Sequence, residues 1–390
     1  MHPGQTLPYD QLMAINLDML SKKLSKYRGQ LQETVDEVAE ATGIPSARLS
    51  DLEAGNVEPT GDEVLILADH FQCDFRYFIS NELLAPFEQT DTLYRMHGND
   101  FSKADRRAVQ EFLYLCETEA FLMAELGRGY MDFNFRPSGD FMKGHGEPAA
   151  EALRRTLGHP DHAVPRDVFS EFRRVGVHVF RRQLGNSNIS GLFIRHPIAG
   201  RCALVNYNED IYRQRFSAAH EMAHAIFDHD QEASVSFHKG RDLREVRANR
   251  FASCFLMPPA FLRKIRVSKE WSDEECLRWA NDLRVSCTAL GFALVDADLV
   301  GAERGKEIRK LRVPKDAKKD PELPDALNPM QRQRKVHLLE LGLSDFYVGL
   351  CFDAFKQGVI SQGRLSEALL TSSSEIVGLA ALYGTTLHGH

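Results

Sequence analysis

The chain has 390 residues, 43% hydrophobic and 26% charged, with a net charge of −7. That length and composition suit a soluble globular protein of two or three domains, and the acidic balance gives no global case for nucleic-acid binding. No apolar run approaches a membrane span, the N-terminus lacks a basic-then-apolar signal, and the seven scattered cysteines form no C-x-x-C pair, which argues for reduced thiols in a cytoplasm and against a cysteine-based metal site.

Residues 13–80 read as a compact five-helix unit. Leu17, Leu20 and Leu24 mark a first helix. Thr34 with Glu37 is a capping pair that opens a second, closed at Gly43. Residues 44–53 form a short third helix ended by Gly55. Pro59-Thr60 opens a fourth, with Val64, Leu65, Leu67 and Ala68 inward. Two short helices joined by a Gly-containing turn make a helix-turn-helix. The run Ala39, Thr42-Gly43-Ile44, Leu49-Ser50-Asp51-Leu52-Glu53, Gly55 and Pro59-Thr60 resembles the XRE/Cro-type domain. The resemblance implies DNA reading by Ser46, Ala47, Arg48 and Ser50, with Lys22, Lys23, Lys26 and Arg28 on the phosphate backbone, and a homodimer as the usual state. Residues 1–85 hold six Lys/Arg against fourteen Asp/Glu, so the alternative is a helix-turn-helix kept for dimerisation or for docking a partner.

Residues 86–150 read as a helical connector. Ser102 and Asp105 form a capping pair, and Val109, Phe112, Leu113, Cys116, Ala120 and Met123 repeat at helical spacing, a core or dimer stripe. Gly127 and Gly129 end it, and residues 133–139 are turn-rich.

In residues 151–260 a helix from Asp167 to Arg174 leads through Gly176 into the β-like run Val177 to Phe180. Two further short runs follow, Ile189 to Ile194 and Ala203 to Tyr207, either of which is a candidate edge for a peptide added as a strand. Then comes His220-Glu221-Met222-Ala223-His224. Histidines four apart share one helix face, so both imidazoles reach a single ion, and the adjacent Glu221 is placed as a base for activated water. A loop rich in Ser, His and Gly (Ser234 to Gly240) precedes a second helix from Glu245 to Leu256, stopped by Pro258-Pro259. Glu245, with Asn249 on the same face, supplies a third ligand and leaves a fourth position for water.

Arg215-Phe216 through His224, and Glu245-x-x-Ala248-Asn249-x-Phe251-Ala252 ending Leu256-Met257-Pro258, resemble the ImmA/IrrE metallo-endopeptidases. The resemblance implies Zn2+ held by His220, His224 and Glu245, Glu221 as the base, and cleavage of a specific protein partner, often a repressor. Ala223 stands where the family more often has Gly. Tyr207, Tyr212, His229 and His238 are candidate oxyanion donors. The alternative is a transcriptional regulator or antitoxin-like module with a structural or sensory metal, in which His229 or His238 closes a four-ligand site.

Residues 270–300 suggest two short helices around a turn, similar to a helix-turn-helix-like unit in that family. Residues 301–335 read as a basic, Pro-interrupted linker: Arg304 to Lys319 holds eight Lys/Arg against Glu307 and Asp316, a run that solvates or meets nucleic acid or an acidic partner. Residues 336–390 return to helices. The expected fold class is mainly α with a small β-sheet: an all-α helix-turn-helix domain, an α+β zincin-like metallopeptidase domain, and a helical C-terminal region.

Overall fold

A computed structural model describes residues 15–73, 75–80, 88–139, 141–237, 242–266 and 271–387. The chain divides into two compact units, residues 1–114 and 115–390. The first holds α1 (Leu17–Leu31), α2 (Val35–Thr42), α3 (Ser46–Glu53), α4 (Gly61–His70), α5 (Phe75–Ile79), α6 (Glu88–His97) and the start of α7 (Lys103–Glu125). Side chains start these helices. Asn16 caps α1, and reciprocal boxes form between Thr34 and Glu37 and between Thr60 and Glu63. Ser102 and Asp105 bond each other at the head of α7. Gly43, at φ 74°, returns its N–H to the Ala39 carbonyl and ends α2. Leu24, Leu49, Leu52, Val64, Leu67, Phe71 and Phe78 form the core. Leu65 is not part of it. With Val64, Leu67 and Ala68 turned inward, the helical step of about 100° carries Leu65 outward, and it is 53% exposed.

The second unit continues with α8 (Gly146–Thr156), α9 (Val168–Arg174), β1 (Val177–Arg182), β2 (Ile189–His196), β3 (Gly200–Asn206), α10 (Ile211–Phe227), β4 (Ala233–Phe237), α11 (Leu243–Leu256), α12 (Pro259–Leu262), α13 (Asp273–Asp282) and α14 (Cys287–Asp296). The chain is mainly helical around this one small sheet of order β1-β3-β2-β4. β1 runs parallel to β3, and β2 runs antiparallel to both β3 and β4. This corrects the expected edge. Residues 189–194 and 203–207 are the two central strands, and the edges are β1 and β4. β4 also occupies residues read as loop. Its serines are weak strand formers, but Ala233 and Val235 alternate inward and the open side of β2 supplies a ladder.

Asp210 caps α10, which packs on β2, β3 and α11. Ala218, Ala219, Ala223 and Ala225 are all buried, so their small side chains permit that close approach. Arg215 is fully buried with no carboxylate bonded to it among the described residues. Its guanidinium donates to the carbonyls of Arg284, Arg166 and Pro165, and burial lowers its pKa to about 10. Gly146 seats α8 on α11. A Cβ there would lie 2.7 Å from the Phe251 backbone nitrogen.

The chain then runs through α15 (Ala302–Ile308), α16 (Pro329–Glu340), α17 (Asp345–Lys356), α18 (Gln362–Ala368) and α19 (Ser373–Leu382). The stretch expected as a solvated linker is fastened to the sheet domain. Ile308 and Val313 enter the core, Lys318 pairs with Asp210 at 2.5 Å, and buried Arg181 of β1 holds Asp320 at 2.7 Å and also Glu322. The apolar residues spaced among the charges supply the attachment that the charge count hides. Among the described residues no single helix is long and apolar enough to cross a membrane.

Candidate metal centre

His220 and His224 lie one turn apart on α10, and Glu245 reaches across from the first turn of α11. The two Nε2 atoms are 3.1 Å apart. Glu245 Oε2 is 3.2 Å from His220 Nε2, and Oε1 is 3.2 Å from His224 Nε2. Among the described residues these three form the one group able to hold a metal ion. Bonds of about 2.0–2.2 Å to zinc require donors about 3.3 Å apart in a tetrahedral set, so this triangle fits the ion. Histidines and carboxylate also make the donor set that zinc prefers.

Partners behind the triangle orient it. His220 Nδ1 meets Asn249 Oδ1 at 3.0 Å, and His224 Nδ1 meets Asp228 Oδ2 at 2.6 Å. Both leave Nε2 facing the centre. Asp228 is itself held by Arg247, and both are buried. Burial pulls the His224 pKa down, but the bonds to Asp228 and Glu245 outweigh it and raise it to about 10 without an ion. Burial likewise raises Glu245, and its two histidines more than reverse this, so it stays ionised.

Glu221 is 0% exposed, and its carboxylate has only a weak contact with the Ser236 hydroxyl, short of a well-formed hydrogen bond. Burial raises its pKa above the usual carboxylate value. It fits here because of a glycine. Gly191 of β2 pairs with Ser236 of β4, and a Cβ on Gly191 would stand 2.8 Å from Glu221 Oε1 and 2.7 Å from the Leu204 carbonyl. The buried Ser236 hydroxyl has no other partner among the described residues. His220, Glu221, Glu245, Ser236 and Asn249 open onto a cleft of about 960 Å³.

Two family models match. Residues 24–78 match a helix-turn-helix model, and residues 172–295 match a peptidase model described as the IrrE N-terminal-like domain. The chain joins an XRE-type helix-turn-helix to an IrrE/ImmA-like domain. The second match spans α10, α11 and the sheet, so the three side chains of the triangle lie within the stretch that resembles that peptidase domain. No curated protein matches. One solved structure does: PlcR of Bacillus thuringiensis in complex with the peptide PapR7 and DNA, at 10% identity over 94% of this chain and 97% of that one, with a TM-score of 0.16. A likeness that slight carries no argument.

The other sequence candidates are dispersed. Tyr212 turns its hydroxyl to Asn281, 2.6 Å away, and Tyr207 packs under Arg181. His229 is exposed beyond the end of α10, and His238 lies outside the described residues. In the helix-turn-helix, Ala47 and Ser50 are exposed on α3 and Ser46 bonds Asp36. Arg48 grips Glu63 with two nitrogens, at 2.8 and 2.9 Å. Lys22 pairs with Asp18, Lys26 with Asp91 and Arg28 with Glu53, while Lys23 is buried against the carbonyls of Tyr77 and Ser80. Sequence reasoning missed Asp228, Gly191 and Ser236. Asp228 did carry a signal, since it lies four residues beyond His224 on the same helical face.

Proposed function

We propose that this chain is a zinc-dependent endopeptidase that cleaves a regulatory protein such as a repressor, with the helix-turn-helix delivering it to its site of action. The buried Glu221 beside the His220–His224–Glu245 triangle carries the reading. A fully buried carboxylate held by no more than a weak contact with Ser236 costs stability, which fits a group kept for chemistry. His220, His224 and Glu245 would hold the ion, which supplies Lewis-acid activation of water and of a carbonyl when bound. Glu221 accepts the proton of the attacking water and returns it to the leaving amine. Ser236 lies close enough to steady the protonated carboxyl. The outer edge of β4, with Ser236 and Phe237 lining the cleft, offers a ladder to an extended peptide. The seven cysteines are free, in keeping with a cytoplasmic protein.

Glu221→Gln in the full chain tests this. The variant should retain about one zinc per chain and lose at least about a hundredfold in cleavage of its partner. Cleavage at the wild-type rate would refute the mechanism.

The second reading is a regulator whose metal is structural or sensory. It requires a closed fourth ligand, and His229 points away from that role by its exposure. DNA contact by Ser46, Ala47, Arg48 and Ser50, in a homodimer, belongs to either reading. The internal pairing of Arg48 and of the α1 cations favours a contact carried by α3 itself over strong backbone neutralisation. A gel shift at low salt that finds no duplex binding would leave the domain a docking or dimerisation module.

A further inference from the structure

The basic run, read from sequence as a solvated linker, forms a wall of the metal cleft. Arg312, Lys315 and Lys318 line it, joined by Lys143, Arg213 and Arg250. Against these six cations stand four carboxylates, and two of them, Glu221 and Glu245, belong to the metal site. The other two are Asp210, taken by Lys318, and Asp296, taken by Arg250 at 3.1 Å; Arg250 also holds Glu147, and Arg213 pairs with Glu209 at 3.3 Å, both carboxylates standing behind the lining. Lys143, Arg312 and Lys315 have no acidic partner among the described residues. In a chain of net charge −7, three cations without an acidic partner thus line one cleft.

The wall is rigidly backed. Val313 between the two cations is buried, and the Arg312 guanidinium donates to the carbonyls of Arg309 and Leu311, at 2.7 and 2.8 Å. The amino end of α14 opens on the same cleft through Ser286, Cys287 and Thr288, adding the partial positive charge of its first turn. Exposed Phe292, on the same helix, gives the wall one apolar surface, stacked under Arg309 at 4.3 Å.

We infer that the cleft selects an extended peptide segment bearing Asp or Glu side chains, read by Arg312 and Lys315, which line the same cleft as the metal triangle. The inference rests on the cleft being a peptide site, as proposed above. Substrate carboxylates supply the partners these two exposed cations lack, an attraction that salt screens. It also assigns the basic run a use that a mobile tether lacks.

The test uses the full-length, zinc-loaded Glu221→Gln protein, which binds without turning over, to select from a randomised peptide library. Asp and Glu should be enriched about tenfold at one or more positions, and the enrichment should fall as salt rises. It should vanish in Arg312→Gln/Lys315→Gln and persist with Lys356→Gln, an exposed cation on α17 away from the cleft. Circular dichroism and zinc content unchanged in the double variant would show that the fold and the centre survive. Selection without acidic enrichment, enrichment that survives the double variant, or no selection by a zinc-loaded protein each overturns the inference. So does labelled duplex DNA that binds in place of peptides and is lost in the double variant. The two readings fail separately. If the selected acidic peptides bind but wild-type protein leaves them intact, the peptidase reading falls while the anionic preference stands.

Discussion

Gly191→Ala isolates how the sheet floor positions the base. The added methyl would sit 2.7 Å from the Leu204 carbonyl and 2.8 Å from Glu221 Oε1. Relaxed carbon–oxygen contacts begin at about 3.3 Å, so each neighbour must yield by roughly 0.5 Å. Leu204 is main chain in the central strand β3, paired on both sides, and cannot swing aside as a flexible side chain would. Glu221 must therefore take up much of the displacement. Overpacking of this kind costs about 1–3 kcal/mol, or several degrees in Tm for a unit of this size. Gly349→Ala is the control. It lies inside α17 with open space where its Cβ would go, and should stabilise by up to about 1 kcal/mol. Thermal unfolding, zinc content and partner cleavage are measured on both. Gly191→Ala should keep its zinc, lose stability, and lose cleavage by about a hundredfold through the misplaced carboxylate. A Gly191→Ala protein with wild-type Tm and wild-type turnover would refute the argument.

Three further outcomes follow from named contacts. Asp228→Asn weakens the hold on His224 Nδ1 and should lower zinc affinity about ten- to a hundredfold in a chelator competition. An unchanged affinity would mean that Asp228 serves only Arg247. Arg181→Met leaves Glu322 buried beside Asp320 without its cation and should destabilise the second unit by about 3–5 kcal/mol in urea unfolding. Equal midpoints would show that residues 320–322 are not fastened to β1. In the helix-turn-helix, the hydrogen bond from Arg48 lowers the Glu63 pKa to about 2, with Thr60 adding to it. A depressed carboxylate stabilises the fold fully above the unfolded value of about 4.3, and that stability drains away as pH falls toward about 2. Hydrogen exchange of residues 15–80 should therefore separate wild type from Glu63→Gln at neutral pH and converge in acid. A gap that stays constant with pH would reject it.

The parts of the site carried by helical spacing were legible in the sequence. Four residues separate His220 from His224 because one turn does, and the capping pairs at Thr34 and Ser102 mark true helix starts, since each reports a local hydrogen bond. The sheet was not legible in the same way. β1 and β3 pair across the intervening β2, and no property of either strand alone specifies a non-local partner. Gly191 and Ser236 escaped notice for that reason. A glycine and a serine read as breakers until the register sets them side by side beneath a carboxylate from another element.

The basic run shows the same limit from the side of charge. Eight cations in sixteen residues suggest solvent when counted along the chain. What counts in space is where the charge is neutralised. Lys318 is neutralised by Asp210, Asp320 and Glu322 are met by Arg181, and Ile308 and Val313 pin the backbone. Of the four cations of the run with no acidic partner among the described residues, Arg309 stacks on Phe292, Lys310 is exposed, and Arg312 and Lys315 line the cleft beside Lys318. Random solvation gives no reason for Arg312 and Lys315 to line the recess that also holds the metal triangle, the buried base and a helix N-terminus. A cleft whose task is to hold an anionic segment against that base does give one. It also requires charge reversal at Arg312 and Lys315 to change which peptides are held, while metal content stays the same.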